Sequence, residues 1–319
     1  MSVVDVIIPS YKRPIYLSRA IDSVLSQTYS KVRAIVVDDN NFGDAFREET
    51  QKMMQKYIGN PKVIYLKHEV NKNGAAARNT GIRYSKADYI AFLDDDDFYK
   101  PDKIRNQVEK ISNLDDTWGG VCCFHTRRYK NYTFAIYSVK EKESGNYAFD
   151  FLSGITSTPS STLLVRRSLF NTIGLFDESF VRHQDLEFLM RFYRSYKMAV
   201  SPNYDVYMQT EGFRNYPNSK QAFQIKAKFL KTFEVDISSF DMNMQMKIMK
   251  NQWFEVACLF LKEKDYKSAR DLFNKFIFVE GVIKFKDILR VLFFLISGYF
   301  PRFKKITSCF LGLTIYRKY

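Results

Sequence analysis

The chain has 319 residues, 46% of them apolar and 16% aromatic, which supports a packed core and excludes a disordered polypeptide. Its 49 Lys and Arg exceed 35 Asp and Glu to give a formal charge of +14, pointing to an anionic partner such as nucleic acid, acidic lipid or a phosphorylated substrate. A basic surface kept for solubility accounts for the same surplus. The cysteines Cys122, Cys123, Cys258 and Cys309 show neither zinc-site spacing nor a disulfide framework, so a reducing compartment is expected.

At the start, Met1-Ser2-Val3-Val4-Asp5 offers no basic region or cleavage site, and no signal peptide is expected. Val4–Pro9 is apolar and β-branched and predicts a strand. Ile15–Gln27 repeats Ile15, Leu17, Ala20, Ile21, Val24 and Leu25 at helical spacing. Val32–Val37 predicts a second strand ending in Asp38-Asp39, Ala45–Tyr57 a helix, and Val63–Leu66 a third strand. Ala75–Tyr84 predicts a helix, and Tyr89–Leu93 a fourth strand ending in Asp94–Asp97. Strands alternating with helices predict an α/β fold with a mainly parallel sheet flanked by helices, whose ligands bind beyond the carboxyl ends of the strands. Polar residues stand at those ends: Ser10 to Arg13, Asp38 to Asn40, and Asp94 to Asp97.

From Trp118 to Tyr207 the pattern is mixed. Gly120–His125, carrying the adjacent Cys122 and Cys123, and Thr162–Val165 read as buried strands. Asp185–Tyr196 reads as a helix with Leu186, Leu189, Met190 and Tyr193 inward. Beyond Pro217 strand signals cease, and residues 218–280 read as successive amphipathic helices. The expected organisation is a catalytic domain over 1–215, a helical region over 216–281 and a basic, aromatic tail over 282–319. Trp253, Ala257, Tyr266, Ala269 and Phe273 follow a tetratricopeptide-like spacing, but a single copy without a repeat favours an ordinary helical bundle. In the tail, the short run Val291–Ile296 lies among basic residues from Lys284 to Lys318. It is too short to span a bilayer and suits a helix lying in the membrane interface; a helix packed on its own domain is the alternative.

Four constellations carry chemistry. Asp94, Asp95, Asp96 and Asp97 follow a buried strand directly and repel one another unless a cation is near. Carboxylate oxygens suit Mg²⁺ or Mn²⁺ held together with substrate phosphates; a solvated acidic turn is the plain alternative. Asp38-Asp39 offers acceptors for a base N–H or a ribose hydroxyl, although turns also prefer Asp. In Asn71 to Gly81, Gly74 near a helix start with Lys72 and Arg78 suits an anion, while tight helix-to-sheet packing explains Gly74 and Ala75–Ala77 equally. Asp185 precedes a helical pattern and suits either a general base or a helix-terminal carboxylate.

Taken together, Val6-Ile7-Ile8-Pro9-Ser10-Tyr11-Lys12-Arg13, Ser23 to Tyr29, Val36 to Asn40, Asn71 to Gly81 and Phe92 to Asp97 resemble family 2 glycosyltransferases. The likeness continues through Ser160 to Arg167, Ile173 to Glu178 and Gln184 to Glu187, in the family's order over residues 3 to about 200. The resemblance implies a GT-A fold and inverting transfer from a nucleoside diphosphate sugar, a UDP-sugar foremost, to a saccharide or lipid-linked acceptor. It implies that Asp39 holds the base, that Pro9, Tyr11 and Arg13 shape the nucleoside pocket, and that Asp95 lies near the ribose. Lys72, Gly74 and Arg78 are expected to complete the nucleotide-sugar site, and the resemblance further implies that Asp94 and Asp96 bind Mn²⁺ or Mg²⁺ and that Asp185 is the general base. Gln184 departs from the pattern, since many members carry an acid there, and this removes a negative charge beside the base. The setting implied is cytoplasmic, at the inner face of the cell membrane, in surface polysaccharide or glycolipid assembly.

Other classes fit less well. A nicotinamide oxidoreductase needs Gly-x-Gly-x-x-Gly after the first strand, where Pro9-Ser10-Tyr11-Lys12-Arg13-Pro14 stands. A sugar nucleotidyltransferase shares the sheet and carboxylates but wants a glycine-rich basic loop there. A degenerate, membrane-associated scaffold is disfavoured because every candidate carboxylate is present. No nucleic-acid partner is expected, since no binding module is recognisable and the basic residues are dispersed.

Overall fold

A computed structural model describes residues 2–129, 132–136, 147–154, 158–209 and 217–277. The chain divides into two compact units. Among the described residues the first holds those up to 148 and from 158 to 209, and the second holds 149–154 and 217–277.

In the first unit, β1 (Val4–Ser10), α1 (Pro14–Leu25), β2 (Val32–Asp38), α2 (Ala45–Met54), β3 (Val63–Lys67), α3 (Asn73–Tyr84) and β4 (Tyr89–Phe92) alternate as the sequence predicts. They are followed by β5 (Phe98–Tyr99), α4 (Lys103–Ser112), the long β6 (Trp118–Tyr129) and β7 (Tyr132–Ile136). After the start of α5 (Ala148–Leu152) come β8 (Leu163–Arg166), α6 (Leu169–Ile173), α7 (Gln184–Ser195) and β9 (Lys197–Gln209). The sheet runs β3-β2-β1-β4-β8-β6-β9-β5, with β7 hanging from β6. Strands β1 to β4 are mutually parallel, and β8 enters antiparallel to both β4 and β6.

Because β1 is covered on both faces, its apolar run is continuous rather than alternating. Val4, Val6 and Ile8 join Leu17, Ile21 and Val24 of α1 and Ile104, Val108 and Ile111 of α4 in one core. Ile7 faces the other way, against α3: a Cβ on Gly81 would come within 2.6 Å of its side chain. Helix α3 lies that close because Ala75, Ala76 and Ala77 are small and buried, the packing reading of that stretch.

Strand β9 carries no clean strand signal in the sequence because Pro202 and Asn203 interrupt it. The structure absorbs them where the β6–β9 register slips, from Cys123 opposite Ser201 to Phe124 opposite Tyr204. Proline is tolerated at such an irregularity because it owes no ladder hydrogen bond there. Helix α7 buries Leu189, Met190 and Tyr193 as expected, and Phe188 and Phe192 with them, whereas Leu186 is only half-buried. Cys122 and Cys123 are fully buried on β6.

The described part of the second unit is helical: the rest of α5, then α8 (Ser219–Thr232), α9 (Glu234–Ser238), α10 (Met242–Lys262) and α11 (Tyr266–Leu272). Asn218 and Gln221 form a reciprocal capping box that starts α8. Trp253, Ala257, Ala269 and Phe273 are buried, but Tyr266 is 65% exposed, so one member of the tetratricopeptide-like set stays outside the core. No helix among the described residues is long and apolar enough to cross a membrane. The basic, aromatic tail of 282–319 lies outside the described residues.

Candidate active site

Parallel register brings the polar strand ends together. Ser10 sits opposite Asp38, Asp38 opposite Lys67, and Ile7 opposite Phe92. The carboxyl ends of β1, β2, β3 and β4 therefore share one edge of the sheet, where open α/β sheets take their ligands.

Past β4, the four aspartates separate in role. Asp94 Oδ1 accepts from Arg78 Nη2 at 2.7 Å and from Ser160 Oγ at 3.2 Å, while the side chain stays 39% exposed. Asp95 and Asp96 are buried against one guanidinium: Arg13 Nη1 lies 3.1 Å from Asp95 Oδ1 and 2.9 Å from Asp96 Oδ2. Burial pushes the Asp95 carboxyl up to about 7; Arg13 opposes this, and Asp96 and Asp94 add to it. Asp97 turns away from this group. It accepts from Ser161 Oγ at 2.7 Å and from the Gln209 amide at 3.1 Å, fastening the β4 turn to the end of β9. Burial, with Asp96 and Asp94 beside it, drives the Asp97 carboxyl well above the ordinary range.

At the end of β2 the two aspartates divide likewise. Asp38 is fully buried, takes hydrogen bonds from Asn40 and the Tyr65 hydroxyl, and pairs with Arg47 Nε at 3.1 Å. It braces the strand end. Asp39 is caged by donors instead: His68 Nδ1 at 2.7 Å, Asn71 Nδ2 at 2.8 Å and the Lys72 amide at 2.8 Å. Its burial raises the carboxyl, and the bonds from His68, Lys72 and Asn73 pull it back.

The loop between β1 and α1 links both ends. The Tyr11 amide donates to Asp95 Oδ2 at 3.2 Å and the Lys12 amide to Asn40 Oδ1 at 2.9 Å. Lys12 holds a left-handed backbone, φ 58°, a conformation costly for a residue with a Cβ and common at functional sites.

Helix α7 brings the last carboxylate. Phe188 stacks on Phe176, whose ring meets Phe92 edge-on, and Asn79 of α3 exchanges two hydrogen bonds with the Phe176 backbone, both 2.9 Å. The N-terminus of α7 is thereby held beside α3. Arg78 Nη1 donates to Gln184 Oε1 at 3.1 Å, and a Cβ on Gly74 would stand only 3.1 Å from each of those atoms. Asp185 lies in the first turn, half-buried, with Oδ1 accepting from the neighbouring Leu186 amide at 3.0 Å. His183, in a left-handed backbone, occupies the cap position, so Asp185 does not cap the helix. Burial raises the Asp185 carboxyl; Arg78 opposes and Asp94 reinforces the shift.

The residues expected to form the site are thus drawn to one edge, with differences in detail. Pro9 is half-buried in β1, and Tyr11 is 39% exposed beside it. Arg13 engages the acidic cluster. Lys72 contributes its backbone amide to Asp39. The first-turn amides of α3, at Ala75 and Ala76, are taken by Asn73 Oδ1, so Gly74 makes room for the Arg78–Gln184 pair. Ser160, Ser161 and His68 were not singled out as site residues from the sequence; a serine pair after a loop and a lone histidine at a strand end carry no pattern of their own.

The site offers carboxylate oxygens of the type that divalent ions take, with Asp96 Oδ2 paired to Arg13 at 2.9 Å. Asp94 and Asp96 supply hard oxygens, and the hydrogen bonds to Asp94 fall on Oδ1. No group of three or more His, Cys, Asp or Glu side chains suited to a metal occurs among the described residues. Two carboxylates leave coordination to be completed by phosphates and water, as is usual for Mg²⁺.

The family model for glycosyl transferase family 2 matches residues 5–174, more than half the chain. An uncharacterized glycosyltransferase of Rickettsia prowazekii is 33% identical over 198 residues, covering 60% of this chain and 59% of the relative. The Escherichia coli UDP-Glc:alpha-D-GlcNAc-diphosphoundecaprenol beta-1,3-glucosyltransferase WfaP is 35% identical over 108 residues, 34% of this chain and 41% of that one. The chain therefore spans about three-fifths or less of these relatives' lengths. Among solved structures, S. aureus TarS aligns with TM-score 0.56 and 16% identity over 94% of this chain and 50% of that one. TarS 1–349 in complex with UDP-GlcNAc aligns with TM-score 0.55 and 15% identity, over 94% and 93%. At that identity the likeness shows the fold, the GT-A arrangement of a mixed, mainly parallel sheet flanked by helices.

Proposed function

The chain belongs to glycosyl transferase family 2, and from that premise we propose that it moves a sugar, with inversion, from a nucleoside diphosphate sugar to an acceptor hydroxyl. One observation carries the proposal. A caged acceptor (Asp39), an acidic cluster balanced by arginines (Asp94 to Asp96) and a half-buried carboxylate (Asp185) meet at one sheet edge.

Asp39 accepts from the base, and Tyr11 lines the nucleoside's approach. Asp94 and Asp96 would hold Mn²⁺ or Mg²⁺, which when bound would neutralise charge on the diphosphate leaving group. Arg13 and Arg78 bring further positive charge to the same region and pair with the carboxylates until a cation or the donor takes their place. Asp185 takes the proton of the acceptor hydroxyl as that oxygen attacks the anomeric carbon from the face opposite the diphosphate. The helix N-terminus and Arg78 favour its ionised form, whereas burial makes it a stronger base than an exposed aspartate. Holding both reactants at this edge supplies much of the remaining rate.

UDP-sugars are the favoured donors: TarS has been crystallised with UDP and with UDP-GlcNAc, and WfaP is named for UDP-Glc. The diphosphoundecaprenol acceptor in WfaP's name supports a lipid-linked acceptor here and a place at the cytoplasmic face of the membrane, in surface polysaccharide or glycolipid assembly. Two measurements test the reading. In a thermal-shift panel of nucleotide sugars, the donor should raise the melting temperature most, and only with Mn²⁺; a flat panel in both conditions defeats it. In cell fractionation of full-length and 1–281 protein, only the former should sediment with membranes, and equal solubility removes the membrane contact.

A further inference from the structure

His68 sits just beyond β3 with 6% exposure, and both ring nitrogens are engaged. Nδ1 stands 2.7 Å from Asp39 Oδ1, and Nε2 stands 2.8 Å from Thr80 Oγ1 on α3. We infer that His68 is a positioning residue for the nucleotide site: Thr80 donates its hydroxyl hydrogen to Nε2, the ring hydrogen is thereby fixed on Nδ1, and that hydrogen keeps Asp39 an acceptor-only carboxylate selective for a nucleobase with a ring N–H donor. The inference rests on reading Asp39 as the base-binding residue.

The chemistry follows from what a carboxyl offers. Ionised, it accepts only; protonated, it gains an O–H donor. Uracil presents a ring N–H at N3, whereas cytosine presents a bare acceptor there. An ionised Asp39 favours the first, and a protonated one suits the second. Burial alone moves Asp39 toward the protonated form, and the His68 bond is the largest influence opposing it. The other groups facing Asp39 come from the turn into α3: the Asn71 side chain and the Lys72 and Asn73 amides. Asp38 of β2 and Arg47 of α2 pair with each other at 3.1 Å, and Arg47 also donates to the His68 carbonyl at 2.5 Å. That leaves the imidazole as the side chain whose tautomer sets the Asp39 contact. A merely structural histidine would tie β3 to α3 without affecting which base binds.

The test uses full-length protein and calorimetric binding of UDP and CDP at saturating Mn²⁺. His68→Leu should weaken UDP binding about tenfold or more and narrow the UDP-to-CDP preference. In turnover with a UDP-sugar it should raise KM more than it lowers kcat. His68→Asn, whose amide nitrogen takes the place of Nδ1, should recover most of the affinity and preference, while His68→Gln should not. If the leucine variant does not fold, the Asn and Gln pair decides by itself. Unchanged preference in His68→Leu, or equal behaviour of Asn and Gln, overturns the inference. Asp39→Ala separates the two levels: if it too binds UDP normally, the nucleotide-site reading fails as well, whereas loss in Asp39→Ala beside normal His68 variants sinks only the role of His68.

Discussion

The acidic ends of β2 and β4 look alike in sequence and are built on opposite principles. At β2, Asp39 is satisfied by hydrogen-bond donors, two of them side chains and the rest backbone amides. Such a cage holds one geometry and suits recognition of a neutral, directional group. At β4, Asp94, Asp95 and Asp96 are balanced by the charges of Arg13 and Arg78. A charge-balanced cluster suits exchange with another charged species, because a cation or a phosphate replaces one ionic contact with another. In both places a neighbouring aspartate, Asp38 or Asp97, is spent on bracing the strand end. Adjacent carboxylates therefore say little until their partners are known.

Four substitutions sharpen or break this contrast. The largest effect is expected of Asp96→Ala: sugar transfer with Mn²⁺ should fall by about 10³-fold or more, the scale for loss of charge stabilisation on a leaving group, with the far-ultraviolet circular dichroism unchanged. Undiminished transfer would detach the β4 cluster from the chemistry. Next, Asp185→Asn should lower kcat by about 10² to 10⁴ while UDP and Mn²⁺ still bind. In the wild type the base must be ionised, and its carboxyl is raised. The rate should therefore be full at higher pH and decline on acidification through a midpoint above the usual carboxylate range; a midpoint near 4 contradicts the assignment. Asp39→Ala should weaken UDP binding by about 10- to 100-fold, the range for hydrogen bonds to a charged group, yet slow transfer from a saturated site much less. A kcat collapse at saturation would erase the distinction between the two ends. The smallest effect is predicted for Arg13→Ala. Removing the guanidinium takes away the positive charge that competes for Asp95 and Asp96, so Mn²⁺ binding without nucleotide should tighten by about several-fold. Weaker Mn²⁺ binding, read by electron paramagnetic resonance, would make Arg13 a support of the metal site and not its competitor.

Much of the first unit was legible because parallel strands buried on both faces leave long apolar runs, and the helices between them repeat every three to four residues. β1 to β4 and α1 to α3 fall within a few residues of their predicted spans. β9 was not, since Pro202 and Asn203 mask it until β6 supplies a partner with an irregular register. The face of α7 was misjudged at Leu186 because helical spacing does not say which of several apolar residues meets Phe176 and Phe170.

The site divides in the same way. Sequence alone determined which chemical groups are available and at which strand ends they stand, because strand periodicity fixes where each run stops and parallel pairing puts those stops on one edge. Tertiary structure decided their partners: that Arg13 answers Asp95 and Asp96, that Arg78 pairs with Asp94 and reaches Gln184 across 106 residues, and that His68 reaches Asp39. Those contacts depend on the angle and depth at which helices settle on the sheet, set by small residues such as Gly74 and Gly81. Side chains far apart in the chain meet only once that packing is complete.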